Sequence, residues 1–206
     1  MSRLALNKSS LNARQRALKN YLRFLPSLEL KRRQLIAERE RARREHGALG
    51  GRVEAVRERV ARLLPMAAWE RIDLDGIVAV ESVRVTDENV VGTVLPVLEG
   101  VELRRVPYGL LSRPHWVEDL AEALEEVLRG HIEQQVASAR LARLEEAVTR
   151  ITQRVNLFDK VLIPGARSDI HRIRIHLADA EREAVVRAKL AKRKATVAAA
   201  ARDAAA

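Results

Sequence analysis

The side chains best suited to chemistry in this 206-residue sequence are its five histidines and its adjacent carboxylates. His171 and His176 would ligate zinc together only from one face of a helix, and a spacing of five sets them roughly 140° apart. His131-Ile132-Glu133 has no second histidine at the distance a zinc-binding helix requires. Glu125-Glu126 and Glu145-Glu146 could act as general acid and base only in a cleft that strips their water and separates their pKa values. On paired helices they make a solvated face instead. The serines have no histidine at a spacing that suggests activation, no G-x-x-x-x-G-K-[ST] occurs, and no glycine is followed by lysine. Cysteine is absent, which removes disulfides and thiolate metal sites and suits a reducing compartment. The expectation is a non-enzyme with no catalytic residue, no cofactor and no metal.

The elements that must carry these side chains are dominated by one ladder. Leu141, Leu144, Val148, Ile151, Val155, Phe158 and Leu162 follow gaps of three and four, which keeps them on one narrow seam of a helix. Such a/d spacing calls for a partner helix and a left-handed supercoil. Aromatics at 3%, with 47% apolar and 32% charged residues, fit long helices with thin seams rather than a compact core. The partner is in the chain itself. Leu11, Leu18, Leu25, Val53 and Val60 recur every seven residues, with Leu28, Leu35, Leu49, Val56 and Leu63 in the companion positions. Between the apolar ends lie Arg32, Arg39 and His46, where looser pairing is expected.

The predicted fold is mainly α, a long antiparallel two-helix coiled coil of amino- and carboxy-terminal helices with a small β-hairpin-containing segment between them. Residues 1–64 form the first helix, capped by Ser9 or Ser10, with Pro26 and Gly50-Gly51 as points of bending or interruption. Residues 65–114 are rich in valine, from Val78 to Val106, and hold two or three short strands with turns at Asp87-Glu88-Asn89, Gly92 and Glu99-Gly100. Residues 115–194 form the second helix, starting at His115 or Trp116, and the Ala-rich tail 195–206 is frayed or disordered. Past Leu162 the seam reaches Ala166 and Ile170 in two steps of four before continuing to Ile173 and Leu177. That spacing reads as a stutter around Pro164-Gly165. Antiparallel folding puts Leu63 near Leu120 and Leu11 near the low 170s. The second helix, over ~110 Å against roughly 80 Å for the first, then overhangs its partner.

The net charge of +10 is spread as +11 over residues 1–64, −8 over 65–135 and +7 over 136–206. Lys31-Arg32-Arg33 and Arg39 to Arg44 could neutralise phosphates, but Glu38, Glu40 and Glu45 interrupt them and few aromatics are available for stacking. A basic face toward protein partners is the better reading, with no direct nucleotide or nucleic acid. No signal-type apolar core follows Met1–Ser10, and no run approaches the ~18 apolar residues of a membrane span. Any membrane attachment is therefore expected to come through other subunits.

The stretch from Thr152 to Glu183, TQRVNLFDKVLIPGARSDIHRIRIHLADAERE, resembles the carboxy-terminal signature of the D subunits of V-type (archaeal/vacuolar) ATPases and ATP synthases. The elements are Arg154-Val155-Asn156, Ile163-Pro164 and Glu181-Arg182-Glu183. Leu30-Lys31-Arg32-Arg33-Gln34-Leu35-Ile36 resembles the K-K-R-D-x-L-[IV] element of that family's first helix, and Glu88-Asn89-Val90-Val91-Gly92 with Pro96 its central region. Leu157, Phe158, Val185-Val186 and Pro26 depart from the pattern. The resemblance implies a central-stalk rotor subunit inserted into a hexamer of catalytic A and non-catalytic B subunits. It also implies binding of the small F subunit, a seat on a funnel-shaped subunit above the membrane ring, and a place on the cytoplasmic face of the membrane. On that basis Arg14, Arg16, Lys19, Arg187, Lys189, Lys192, Arg193 and Lys194 are expected to face the hexamer. A free-standing coiled-coil adaptor and a nucleic-acid-associated basic coiled coil are the rival readings.

Overall fold

A computed structural model of the chain describes residues 5–65, 76–105 and 115–203. Val106 and the Pro114 end of the β-rich segment lie outside the described residues, as do Ala204–Ala206 of the tail. In order come helix α1 (Lys8–Leu63), strands β1 (Val78–Val90) and β2 (Thr93–Arg105), helix α2 (Trp116–Leu157), a π-helical turn (Phe158–Leu162) and helix α3 (Ile163–Asp203). This is the expected mainly α fold with an antiparallel hairpin in its middle. The chain forms two compact units, Leu30–Thr152 and Met1–Glu29 with Gln153–Ala206.

The cap of helix α1 lies two or three residues before the predicted ones. The Asn7 side-chain oxygen accepts a hydrogen bond from the Ser10 amide at 2.8 Å, so Asn7 satisfies the free first-turn donors instead of Ser9 or Ser10. The helix then runs through Pro26 and Gly50-Gly51, where bending or interruption was expected, without interruption. Pro26 removes one donor, but it lies on an exposed face where water can reach the carbonyl it leaves open.

In the Leu30–Thr152 unit, α1 and α2 run antiparallel. Arg52 bonds Glu133 at 3.0 Å, Arg59 bonds Glu126, and Arg57 meets His131 at 3.0 Å. Leu35, Ala42, Val53 and Val56 of α1, with Leu144, Ala147, Val148 and Ile151 of α2, supply the buried seam. Arg32, Arg39 and His46 are half-buried, as are Leu49, Val60 and Leu141. Gly130 permits the close approach: a Cβ there would stand 2.7 Å from Val53 Cγ2. Where α1 ends, Ile77, Trp116, Val117, Leu120 and Ala121 form a core cluster against Val60, Leu64, Val78 and Leu124. Leu64 thus takes the place expected of Leu63, which is 67% exposed as the last residue of α1.

The hairpin is longer and simpler than predicted. Its two strands of 13 residues pair from Val78↔Arg105 to Val90↔Thr93, with irregularities between Val80 and Ser82 and between Arg84 and Val85. Val91 and Gly92 alone turn the chain, at φ 52° and 71°. Both positive angles suit the two-residue turn whose twist matches that of antiparallel strands. The expected turns at Asp87-Asn89 and Glu99-Gly100 lie inside the strands, where ladder pairing overrides local turn preference. Leu95 is fully buried, and Arg140 and Arg143 of α2 hold Glu88 at 3.1 Å and Asp87 at 3.6 Å.

In the other unit, the first part of α1 pairs antiparallel with the π turn and α3. Arg14 bonds Asp169 at 3.2 Å, and the Tyr21 and Phe158 rings meet edge to face, 5.5 Å between centroids. Val155, Ile163, Ala166, Ile170 and Ile173 are buried; Leu11, Leu18, Leu25, Leu28, Phe158, Leu162 and Leu177 are half-buried. The residues of the expected change of step lie on the inner face: Leu162 is half-buried and Ala166 and Ile170 are buried, four apart. Ile163 joins them, so the buried row runs Ile163, Ala166, Ile170 and Ile173 in steps of three and four. The π turn supplies the extra residue: the Ile163 amide donates to the Phe158 carbonyl, five residues back.

Candidate functional site

Among the described residues no polar or charged side chain is buried, and no three His, Asp or Glu residues are grouped as a metal would need. Of the paired carboxylates, Glu125, Glu126 and Glu146 lie in surface ion pairs. Glu125 accepts a hydrogen bond from Arg105, which raises the guanidinium pKa further, and Glu118 bonds the same arginine at 2.7 Å. Glu126 pairs with Arg59, and Glu146 with Arg150 at 3.0 Å. At Glu40 the hydrogen bond from Arg39, 2.6 Å, and the adjacent arginine charge hold the carboxyl below its usual range. These carboxylates are matched to cations at the surface, where ion pairs are worth little individually.

What the fold does assemble is an exposed basic surface with a shallow groove beside it. In the Met1–Glu29 and Gln153–Ala206 unit, a shallow groove of about 450 Å³ lies between α1 and α3. Its apolar floor is Leu18, Leu22 and Ile170, and Lys19, Arg167, His171 and Arg174 stand around it. Arg14 is half-buried in its pair with Asp169, and Arg16 and Lys19 are exposed. From Glu181 to Thr196 every residue of α3 is exposed, including Val185, Val186 and Leu190 at 53–55%. That stretch carries Arg187, Lys189, Lys192, Arg193 and Lys194. Arg187 is tied to Glu183 at 3.1 Å and Arg182 to Asp179 at 3.1 Å, each on its own helix.

The motif residues divide by role. Val155 and Ile163 are core, at 3% and 5% exposure, whereas Arg154, Asn156, Pro164, Glu181, Arg182 and Glu183 face solvent. Pro164 also shapes the backbone. It has no amide hydrogen, and Ile163 donates to Phe158, so the carbonyls of Asp159 and Lys160 both lose their α-helical donors. Sequence reasoning missed this turn and the Gly130–Val53 approach. The five-residue step from Phe158 to Ile163, with proline directly after it, was the available signal for the turn.

A family model for the ATP synthase D subunit matches residues 10–193. The V-type ATP synthase D subunit of Borreliella burgdorferi is 30% identical over 192 residues, covering 93% of this chain and 95% of that protein. Those of Chlamydia muridarum and Chlamydia trachomatis serovar L2 are each 32% identical, over 199 and 196 residues, covering 94% of this chain and 96% of each relative. A match running from the first helix through the hairpin to the basic end of α3, at that level of identity, means that this chain belongs to the family of V-type ATP synthase D subunits.

Proposed function

We propose that this chain is the non-catalytic central-stalk subunit of its V-type ATPase complex, the shaft whose rotation couples ATP synthesis or hydrolysis in a hexamer of A and B subunits to ion movement through a membrane ring. The observation that carries this reading is the bare end of α3. Sixteen consecutive residues, Glu181–Thr196, are exposed and strongly basic, directly beyond a seam that pairs α3 with α1. An isolated helix of that length is marginal in water, so a surrounding protein surface is the natural partner. Lysine and arginine heads in a wet interface make individually weak pairs. A bearing that must let go of each contact requires that property.

On this reading Arg14, Arg16, Lys19, Arg187, Lys189, Lys192, Arg193 and Lys194 meet the A and B subunits. The small F subunit and the funnel-shaped subunit bind elsewhere on the chain. No described helix is long and apolar enough to cross a membrane, and the chain sits at the cytoplasmic face through the complex. Neutralising Lys189, Lys192, Arg193 and Lys194 together to glutamine should leave the chain folded and lower ATP-driven ion pumping by the reconstituted complex. Unchanged pumping per ATP hydrolysed removes those four residues from the bearing. Recovery of the intact chain without A, B and F subunits, and with DNA that washes off steeply with salt, would favour the nucleic-acid reading instead.

A further inference from the structure

From Leu141 to Phe158 the seam advances by threes and fours, and from Ile163 to Leu177 it does so again. The two stretches are out of phase by one residue. Continuing the first rhythm past Leu162 would turn Gly165, Asp169, Arg172 and His176 toward α1; the observed buried row is Ile163, Ala166, Ile170 and Ile173. Removing one residue from the π turn makes the whole run from Leu141 to Leu177 a single unbroken heptad series. The turn therefore takes up a one-residue insertion, and by doing so keeps Ile163, Ala166, Ile170 and Ile173 against α1.

The insertion also has a local cost. The Asp159 and Lys160 carbonyls lose their α-helical donors, and Leu157 and Val161 are left 47% and 57% exposed on the outer side. A helix resists twisting through its ladder of amide-to-carbonyl bonds, so twist is absorbed most easily where successive rungs are missing. We infer that the π turn at Phe158–Leu162 is a torsional joint, the place where the helix running into α3 yields under torque. Pro164 is its positioning residue, because without an amide hydrogen it cannot restore the rung to Lys160. The inference rests on the rotor reading above, but its structural half can be tested apart from it.

Deletion of Val161 takes out an exposed residue and restores the heptad; Val161→Ala keeps the length and serves as control. In the full chain, the deletion should preserve helicity by circular dichroism and leave Tm unchanged or raised. Loss of helix with a lowered Tm, absent in Val161→Ala, would show that the extra residue belongs to the packing and overturn the insertion. In the complex assembled with A, B and F subunits, a bead on the shaft reports angle directly. The deletion should narrow its angular spread in the nucleotide-paused state, with Val161→Ala matching wild type. An unchanged spread in a well-folded deletion variant overturns the joint. A wild-type bead that does not turn on ATP overturns the rotor reading, and the joint's role with it, while the unfolding measurements still judge the insertion.

Discussion

Glycine has opposite meanings at different positions along these helices. Gly47 and Gly51 of α1 face open space, so their missing Cβ serves no close approach, and Gly130 of α2 lies against Val53. Replacing Gly51 by alanine should stabilise the chain by about 0.5–1 kcal/mol, the usual helix cost of glycine. Gly130→Ala gains the same propensity but forces Val53 aside, and overpacking of that kind costs about 1–3 kcal/mol. Urea unfolding should show opposite signs for the two, and Val53→Ala should relieve part of the Gly130→Ala loss. The sequence marks all these glycines alike as weak points of a helix. Which one is a notch depends on a neighbour 77 positions away in the chain.

At the level of elements, the helices and their antiparallel sense were legible because seams repeat over many turns, and each repeat confirms the last. Single events were not. Pro26 was expected to bend or interrupt α1, and the helix passes through it without interruption, as packing on either side outweighs one lost bond. Pro26→Ala should raise stability by about 1–3 kcal/mol, with Tm as the measure and no change in helix boundaries. The hairpin shows the same limit from the other side. Asp87-Glu88-Asn89 is a turn by composition, but opposite Pro96, Leu95 and Val94 it becomes strand, and its acids find Arg140 and Arg143 on α2. Valine at φ 52° is what the composition could not announce, since a β-branched residue is strained there.

For the molecule as a whole, charge and packing occupy different lengths of chain. Among the described residues, buried apolar side chains reach as far as Ile173, while exposed basic residues continue past it along α3. A chain ending at Ala180 should therefore unfold at nearly the same Tm as the full chain and yet fail to support coupled pumping in the complex. A large drop in Tm would mean that residues 181–206 contribute to the fold. Composition foretold this division, because a chain with 3% aromatics and 32% charged residues can bury only thin seams. It could not foretell where the seams stop, which depends on how far the partner helix extends. The same thinness bears on how the Leu30–Thr152 unit finds its alignment. With no polar side chain buried among the described residues, its alignment rests on flanking pairs such as Arg52–Glu133 and Arg59–Glu126 and on the shapes that meet in the seam. The Val53 methyl seated over Gly130 and the Trp116 cluster beside Leu64 tell the correct alignment from a slipped one. A slip of one heptad would take Val53 off Gly130 and draw Leu64 out of the Trp116 cluster, so these two contacts mark the native alignment.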